Sequence, residues 1–436
     1  MKHIINIKSS HSIRNLLPHI MMYLILLGFF SCQSYSNSPD VDTMQKKASS
    51  YKGLIMAGYQ GWFNAEGDGA NRGWNHYRKG DKFEPGFCTI DFWPAMDEYP
   101  KQYKSPFFFA NGEQATLFSS YDESTVDLHF KWMKEYGIDG VFVQRFVTNL
   151  KNPISYNHNQ KVLASAFTSA QDHERVLCIM YDLSGILKGE EDLLIQDWKN
   201  LVNQYNLLSD NCIDNYLNHN GKPLVAIWGA GFNDNRKYGL SEVQKIIDFL
   251  KNDPVYGGCS IMLGVPTFWR TLQNDAVSDT LLHEIIQKVD IVQPWMVGRF
   301  NEETYPNFKK SMIDDIDWCK QYSLDYVPVV YPGFSWHNMY PEFPSNQIPR
   351  NNGKFYWQQL EGAITIGAEM IYVAMFDEID EGTAIFKCAQ TVPVGESVFV
   401  PLQDPSDLYL WLTGEAGKML RKEIPVQKSI PEYSSE

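Results

Sequence analysis

The sequence predicts an α/β protein of the (β/α)8 TIM barrel class, and three observations lead to that prediction. Eight apolar segments of strand length recur along the chain. Helix-length amphipathic segments separate them, and such alternation favours a parallel sheet covered by helices. The chain has 436 residues, of which 44% are apolar, so it is long enough to build eight such units around one core.

The predicted elements follow one another in a regular order. The eight strands are Leu54 to Tyr59, Gly140 to Gln144, Val176 to Tyr181, Leu224 to Trp228, Ser260 to Val265, Ile291 to Pro294, Val327 to Tyr331 and Met370 to Met375. Amphipathic helices are predicted at Ser124 to Tyr136, Ser241 to Lys251, Gly353 to Gly367 and Ser406 to Lys422. The last of these is the eighth barrel helix, displaced by a loop from Phe386 to Pro405.

The connection after the first strand, Gln60 to Tyr121, is far longer than a barrel loop requires. Its aromatic residues include Trp62, Phe63, Trp74, Tyr77, Phe87, Phe92 and Trp93. Sugars present C–H faces to aromatic rings, so these rings are candidate stacking surfaces above the barrel. The alternative, that they form a core for the loop itself, applies to most of them. Trp62 and Phe63, directly after the strand, are the expected exceptions.

The first 32 residues differ in kind from the rest. Three cations without an acid precede the apolar run from Met21 to Phe30, and Ser31-Cys32 follows it, which is the pattern of a secretory signal. The small residue before Cys32 resembles a bacterial lipoprotein cleavage site, so we expect a lipid on Cys32 and anchoring in the cell envelope, at the periplasm or outer membrane. We predict four regions: signal 1–32, linker 33–50, barrel 51–425 and tail 426–436.

The net charge indicates which class of partner the protein binds, and the cysteines indicate whether disulfides are expected. The net charge is -14, and removal of Lys2, Lys8 and Arg14 with the signal makes it -14 - 3 = -17. Such a surface repels nucleic acid and anionic lipid and favours a neutral substrate. Six cysteines remain without any C-x-x-C motif, and free buried thiols are expected, with a Cys88–Cys388 disulfide left open. The membrane contact is through the lipid alone, and we expect a monomer.

The eighth strand ends in four carboxylates within five residues: Asp377, Glu378, Asp380 and Glu381. In a parallel barrel the C-terminal ends of the strands converge on one face, so these groups would line a pocket. If the chain turns helically there, the spacing of Glu378 and Glu381 brings their Cβ atoms to about 5–6 Å. Two close carboxyls repel, which leaves one protonated beside one ionised.

Cleavage of a glycosidic bond requires such an acid and base. Two other readings remain open, because E-x-x-E pairs are also common on solvated helix faces and an acidic cluster before Gly-Thr can bind Ca²⁺. The twelve-residue pattern of an EF-hand is absent. No H-E-x-x-H, G-x-S-x-G, G-x-G-x-x-G or P-loop motif is present, so protease, esterase, dinucleotide and nucleotide functions lack support.

The segment Glu378-Ile379-Asp380-Glu381-Gly382-Thr383-Ala384-Ile385 resembles the E-x-x-E-G-T-x-I signature of glycoside hydrolase family 99, which includes endo-α-mannosidases and endo-α-mannanases. Members of that family usually have Asn before the first Glu and Trp-His between the pair. This chain has Asp377 there and Ile379-Asp380 between the pair. The resemblance implies that Glu378 is the base, acting on the substrate 2-hydroxyl, and that Glu381 is the acid. It also implies retention of configuration, an α-mannoside substrate and no metal or other cofactor.

Polar and aromatic residues follow several predicted strands and are candidates for substrate binding. They are Tyr59, Gln60, Trp62, Arg145, Asp182, Trp228, Trp295, Tyr331, Trp336, His337 and Asp377. Simpler roles compete with binding for three of them. Asp182 would equally cap the next turn, Arg145 would neutralise the acidic cluster, and His337 would pack among aromatics.

The sequence therefore predicts a lipid-anchored glycoside hydrolase that cleaves neutral α-linked glycans, mannan-type favoured, with retention. The substitutions at Asp377 and Asp380 leave specificity for glucan, xylan or arabinan open. Two alternatives remain. One is an inverting α-glucanase related to family 71, in which Asp377 or Asp182 serves as base. The other is a non-catalytic glycan-binding lipoprotein.

Overall fold

The computed structural model describes residues 48–209 and 215–434. The signal segment, Cys32 and Cys212 lie outside the described residues, so their assignments stay predictions. The described cysteines, Cys88, Cys178, Cys259, Cys319 and Cys388, are buried and free. The Cys88–Cys388 disulfide that the sequence left open is therefore not formed.

The strands of the described chain form a parallel sheet and two short antiparallel pairs. In chain order they are β1 (Ile55–Tyr59), β2 (Tyr103–Phe108), β3 (Gln114–Leu117), β4 (Gly140–Phe146), β5 (Val176–Asp182), β6 (Asn218–His219), β7 (Lys222–Trp228), β8 (Ser260–Pro266), β9 (Ile291–Trp295), β10 (Asp325–Tyr326), β11 (Val329–Val330) and β12 (Ile371–Val373). The parallel sheet has the order β10-β9-β8-β7-β5-β4-β1-β12-β11. The hairpin β2–β3 lies in the long first loop, and β6 pairs with β7.

The two ends of this sheet belong to one interrupted strand, the seventh of the barrel. β10 pairs with β9, and β11 pairs with β12. Between them Val327 N donates to Val292 O at 3.0 Å, whereas Pro328 has no N–H to donate. Its carbonyl instead accepts from Tyr372 N at 3.0 Å. The seventh strand thus joins the sixth to the eighth and closes the barrel, which confirms the predicted fold class.

Eight α-helices of the described chain follow the barrel strands. They are α1 (Glu123–Glu135), α2 (Pro153–Asp172), α3 (Glu191–Tyr205), α4 (Leu240–Asn252), α5 (Leu281–Ile286), α6 (Tyr305–Gln321), α7 (Lys354–Thr365) and α8 (Leu408–Leu420), with 3-10 turns at Val147–Lys151 and Asn351–Gly353. The four predicted helices are found within two residues at each end. Strands β1, β5 and β8 are buried along their whole length because helices cover one face of the barrel wall and side chains fill its interior.

Gly58 on β1 has no side chain, and the side chains of Tyr372 and Met375 fill the space next to it. A Cβ at Gly58 would lie 2.2 Å from Tyr372 Oη and 2.1 Å from Met375 Cε, distances that no side chain tolerates. Tyr372 and Met375 therefore occupy the barrel centre, where the acidic segment begins. A larger residue at this position would force the Tyr372 and Met375 side chains to move.

Most aromatic side chains of the long first loop form a core for the loop itself. Phe63 is buried and packs on Tyr77 and Phe118, with ring centroids 4.8 and 5.8 Å away. Phe92 and Trp93 are buried as well. The expectation that Phe63 faces a substrate is therefore wrong, because the loop encloses its ring. Trp62 remains half-buried at the barrel mouth.

Candidate active site

The acidic segment after β12 forms a tight turn rather than the helix that the spacing suggested. Thr383 N and Ala384 N both donate to the carbonyl oxygen of Glu378, at 3.0 and 2.9 Å. The carbonyl oxygen of Glu381 accepts from Ser335 N at 2.9 Å. Ile379, between the two glutamates, is fully buried and anchors the turn. The two carboxyl groups are thereby carried on a backbone fixed from both sides.

Glu378 and Glu381 line one cavity of about 220 Å³ at the C-terminal ends of the barrel strands. The other lining residues are Gln60, Trp62, Gln144, Phe146, Met180, Asp182, Ser184, Trp228, Trp295 and Met375. They come from the ends of strands β1, β4, β5, β7, β9 and β12 or from the residues just after them. The cavity occupies the position where barrel enzymes hold their substrates.

Glu378 is held in the orientation of a hydrogen-bond acceptor. Its Oε1 accepts from Gln60 Nε2 at 3.0 Å, and its Oε2 accepts from Thr383 Oγ1 at 3.1 Å. An amide NH₂ group only donates, so this arrangement suits an ionised Glu378. Burial and the neighbouring Glu381 and Asp380 act in the opposite direction and raise the pKa of Glu378 well above its ordinary value.

Glu381 is half-buried, and its carboxyl group makes no hydrogen bond within the described chain. Burial, with the nearby Asp380, raises the pKa of Glu381 to about 7. Because both glutamates have raised pKa values and repel each other as anions, the pair holds a proton near neutral pH. The donors around Glu378 favour placing that proton on Glu381, which makes the pair an acid beside a base.

Asp377 lies beneath the cavity instead of in its wall. The residue is fully buried, and its two oxygens accept from Gln60 N and Gly61 N, each at 2.8 Å. Burial raises the pKa of Asp377 to about 7, against the effect of these hydrogen bonds. Asp377 therefore fixes the start of the first loop, including the residue that holds Glu378, and is not placed to contact a substrate.

Asp380 connects the acidic turn to an aromatic stack. Its Oδ2 lies 3.2 Å from His76 Nδ1, while its buried Oδ1 has no partner within the described chain. The His76 ring stacks on Trp62 with centroids 3.8 Å apart and planes 6° from parallel. His76 comes from the long loop and was not singled out by its sequence context. The stack holds Trp62 against the cavity.

Five of the predicted substrate-binding residues line the cavity: Gln60, Trp62, Asp182, Trp228 and Trp295. Trp228 and Trp295 meet edge to face with centroids 5.5 Å apart. Asp182 accepts from Ser184 N at 2.6 Å, and burial raises its pKa to about 6. It caps the following turn and faces the cavity as well, so its two suggested roles coexist.

Three buried polar atoms on cavity residues have no partner within the described chain: Gln60 Oε1, Trp62 Nε1 and Trp228 Nε1. Buried polar groups in folded proteins are nearly always hydrogen-bonded, so such atoms call for a ligand or water. One acceptor and two donors next to stacked rings match the mixed apolar and hydroxyl surface of a sugar.

Three other predicted residues point away from the cavity. Arg145 is buried outside the barrel wall, where its guanidinium pairs with Asp197 of α3. The Tyr59 hydroxyl bonds to His129 Nδ1 at 2.9 Å, and the Tyr331 hydroxyl donates to Phe300 O. Each serves packing between the barrel and its outer layer.

The two remaining candidates lie in the loop after the seventh strand, outside the cavity. Trp336 packs on Phe334, Tyr340 and Phe343. His337 is half-exposed and its Nδ1 bonds to Phe343 O at 2.7 Å, as expected of a packed histidine. Neither lines the cavity wall.

The other five cavity residues besides the glutamates were not predicted from the sequence: Gln144, Phe146, Met180, Ser184 and Met375. Side chains alternate between the two faces of a strand, so Gln144 and Phe146 share the inner face of β4 while Arg145 lies on the outer one. The same alternation puts Met180 and Asp182 inside and Tyr181 outside. Applying this period-two rule from Asp182 backwards would have found Met180.

No group of three or more His, Cys, Asp or Glu residues within 48–209 and 215–434 is arranged to hold a metal ion. In that same part of the chain, every helix is too short or too polar to cross a bilayer.

A carboxyl pair beside tryptophan rings lies at the mouth of the barrel, the face on which barrel enzymes carry their active sites. Residues 297–422, which contain the acidic turn, match the glycosyl hydrolase family 99 model. The predicted resemblance to this family is thereby confirmed for the part of the chain that carries the acidic turn.

Two mouse proteins are among its relatives. The glycoprotein endo-alpha-1,2-mannosidase-like protein of Mus musculus is 31% identical over 107 residues, which are 24% of this chain and 24% of that protein. The chain thus spans about a quarter of the length of this curated relative. The glycoprotein endo-alpha-1,2-mannosidase of Mus musculus is 22% identical over 403 residues, covering 85% of this chain and 75% of the relative.

A solved structure shares the fold over most of the chain. The GH99 endo-alpha-mannosidase from Bacteroides thetaiotaomicron superposes with a TM-score of 0.59 at 17% identity, covering 85% of this chain and 98% of that one. At this level of identity the likeness concerns the fold.

Proposed function

We propose that this protein is a retaining glycoside hydrolase that cleaves α-linked neutral glycans of the mannan type. One observation carries the proposal: Glu378 accepts hydrogen bonds from Gln60 and Thr383, while Glu381 in the same cavity has no such partner in the described chain. One carboxyl is thus prepared as a base and the other as an acid.

In the proposed first step, Glu378 takes the proton of the sugar 2-hydroxyl. The 2-oxygen then forms a bond to C1 as Glu381 gives its proton to the leaving oxygen and the C1–O glycosidic bond breaks. The product is a 1,2-anhydro sugar. Glu378 and Glu381 end this step with exchanged protonation states, so the pair remains balanced.

In the second step, Glu381 takes a proton from water, whose oxygen bonds to C1. The C1–O2 bond opens, and Glu378 returns its proton to the 2-oxygen. Two inversions at C1 give overall retention. Stacking on Trp62, Trp228 and Trp295 would place the sugar over the pair.

Mannan is favoured because the proteins similar in sequence and fold are called endo-α-mannosidases. This chain has Ile379 and Asp380 within the acidic turn, and both are buried. Because family 99 members usually have Trp-His at these two positions, the experimental test also includes α-glucan, xylan and arabinan.

The second candidate is an inverting mechanism. It is supported by a different observation, namely that a third carboxyl group lies in the cavity. Asp182 lines the same cavity, and its raised pKa, about 6, still leaves it ionised at neutral pH. It would activate a water molecule while Glu381 acts as acid. Asp377 is less suited, because both of its oxygens are used by backbone N–H groups.

The test is hydrolysis of α-mannan, α-glucan, xylan and arabinan oligosaccharides by protein starting after Cys32, with Glu381→Gln, Glu378→Gln and Asp182→Asn beside it. NMR of the first anomer released distinguishes retention from inversion. Retention with loss of activity in both glutamate variants supports the proposal. Inversion with dependence on Asp182 would replace it. Binding without any product would favour the non-catalytic alternative.

We also propose that the protein is a lipoprotein attached to the bacterial cell envelope through Cys32. The charged, apolar and small-residue order of residues 1–32 supports this. Labelling of the expressed full chain with radioactive palmitate, and its partition into detergent, should both be lost in Cys32→Ala. An unlabelled parent protein would refute the proposal.

A further inference from the structure

A second depression, of about 640 Å³, lies on the long first loop and its hairpin β2–β3. It is lined by Glu66, Gly73, Trp74, Arg78, Asp81, Phe83, Tyr103, Lys104, Ser105, Pro106 and Gln114. It shares no lining residue with the cavity of Glu378 and Glu381. Its volume is within the range of about 300–1,000 Å³ that is usual for ligand sites.

Three aromatic side chains in this depression are held in place by neighbours. Trp74 is half-buried, with Phe83 at 4.7 Å and the buried Tyr77 at 5.9 Å between ring centroids. The Tyr103 hydroxyl donates to Asp122 Oδ2 at 2.8 Å. Rings fixed in this way lose little conformational entropy when a ligand packs on them.

Four charged side chains around the same depression are exposed and make no hydrogen bond or ion pair in the described chain: Glu66, Arg78, Asp81 and Lys104. Two are cations and two are anions, so their charges cancel. The depression offers hydrogen-bond donors and acceptors without a field that would select an ion.

We propose that this depression is a second binding site, for a neutral oligosaccharide. Fixed aromatic rings match the C–H faces of a sugar, and unpaired donors and acceptors of both signs match its hydroxyl groups. An uncharged ligand also fits a surface that carries equal numbers of positive and negative groups. A polysaccharide held here stays close to the molecule, which raises the effective concentration of chain segments around it.

The proposal is tested by affinity electrophoresis of the protein lacking residues 1–32, in native gels that contain soluble α-mannan, α-glucan, xylan or arabinan. Every variant carries Glu381→Gln so that the gel polysaccharide is not digested. Trp74→Ala, and separately Arg78→Ala with Asp81→Ala, should weaken retardation at least about fivefold in the gel that retards the parent. The second variant changes only exposed, unpaired side chains, so its fold is preserved even if Trp74→Ala unfolds the loop.

Phe87→Ala is the matched control, because Phe87 is an aromatic of the same loop, 42% exposed, and does not line the depression. It should be retarded like the parent. Equal retardation of all variants, or none in any of the four gels, would overturn the proposal. Hydrolysis is measured separately with the native glutamates, so retardation that depends on Trp74 supports this site even if no glycan is cleaved.

Discussion

At the scale of single residues, the two glutamates of the site differ in their hydrogen bonds. Burial raises the pKa of both, yet within residues 48–209 and 215–434 only Glu378 has donors on both oxygens. The distinction matters because a general acid must carry its proton into the transition state, and a base must have lost it.

Glu381→Gln is therefore expected to depend on the leaving group. With a glycan as leaving group, kcat should fall about 10²–10⁴-fold, because an alcohol leaves poorly without a proton. With an activated aryl leaving group the loss should be much smaller, whereas Glu378→Gln should be equally impaired on both substrates. Steady-state kinetics on a substrate pair measures this, with the exposed Glu113→Gln as control. Equal losses in both glutamate variants on both substrates would contradict the assigned roles.

Asp380→Asn should change the pH dependence of activity. The Asp380 carboxylate raises the pKa of Glu381, so its neutralisation lowers that pKa. Activity is lost as pH rises through the pKa of the acid, and the falling limb of kcat/KM should move to lower pH by about one pH unit. An unmoved limb, with the variant stably folded, would exclude this coupling.

At the scale of elements, the active site depends on how β12 is attached to the loop after β1. Asp377 makes that attachment through Gln60 N and Gly61 N, residues more than 300 positions earlier in the chain. Gln60 in turn donates to Glu378, so the first loop positions the proposed base. The buried aromatics of the loop pack on one another next to this connection.

Asp377→Ala should weaken this attachment and leave two backbone N–H groups without partners. We expect a loss of about 2–4 kcal/mol in the free energy of unfolding, measured by urea denaturation, with a lower kcat. Asp377→Asn keeps one acceptor and should lose less. If Asp377→Ala raised KM strongly without a loss of stability, Asp377 would be a substrate contact after all.

At the scale of the whole molecule, the barrel tolerates buried acids at its mouth at a cost in stability. Burial raises the pKa values of Asp377 and Glu381 to about 7, and burial beside Glu381 raises the pKa of Glu378 as well. A carboxyl whose pKa is higher in the folded state than in the unfolded state binds more protons when folded. Its contribution to stability therefore decreases as pH rises from about 4 to about 7.

The double variant Glu378→Gln, Glu381→Gln should accordingly gain stability over the parent as pH rises. The difference in the free energy of unfolding should grow by about 1–3 kcal/mol between pH 5 and pH 8. Urea denaturation at both pH values measures it. A difference that does not change with pH would show that the pair is not titrating in this range.

The sequence by itself determined the barrel and the position of its acidic turn. Strand and helix periodicity depends on neighbouring residues, so all eight barrel strands were predictable, and the carboxylates after Met370 to Met375 marked the mouth. Even the seventh strand was found, although Pro328 divides it into β10 and β11.

Only the tertiary structure decided which side chains face the cavity. Arg145 and Gln144 are neighbours, yet one pairs with Asp197 outside the barrel and the other lines the cavity, since adjacent strand residues point to opposite faces. Asp377 is occupied by Gln60 and Gly61, and Phe63 is enclosed by its own loop, through contacts between segments distant in the chain. Such contacts leave no local pattern, because they depend on how the elements pack.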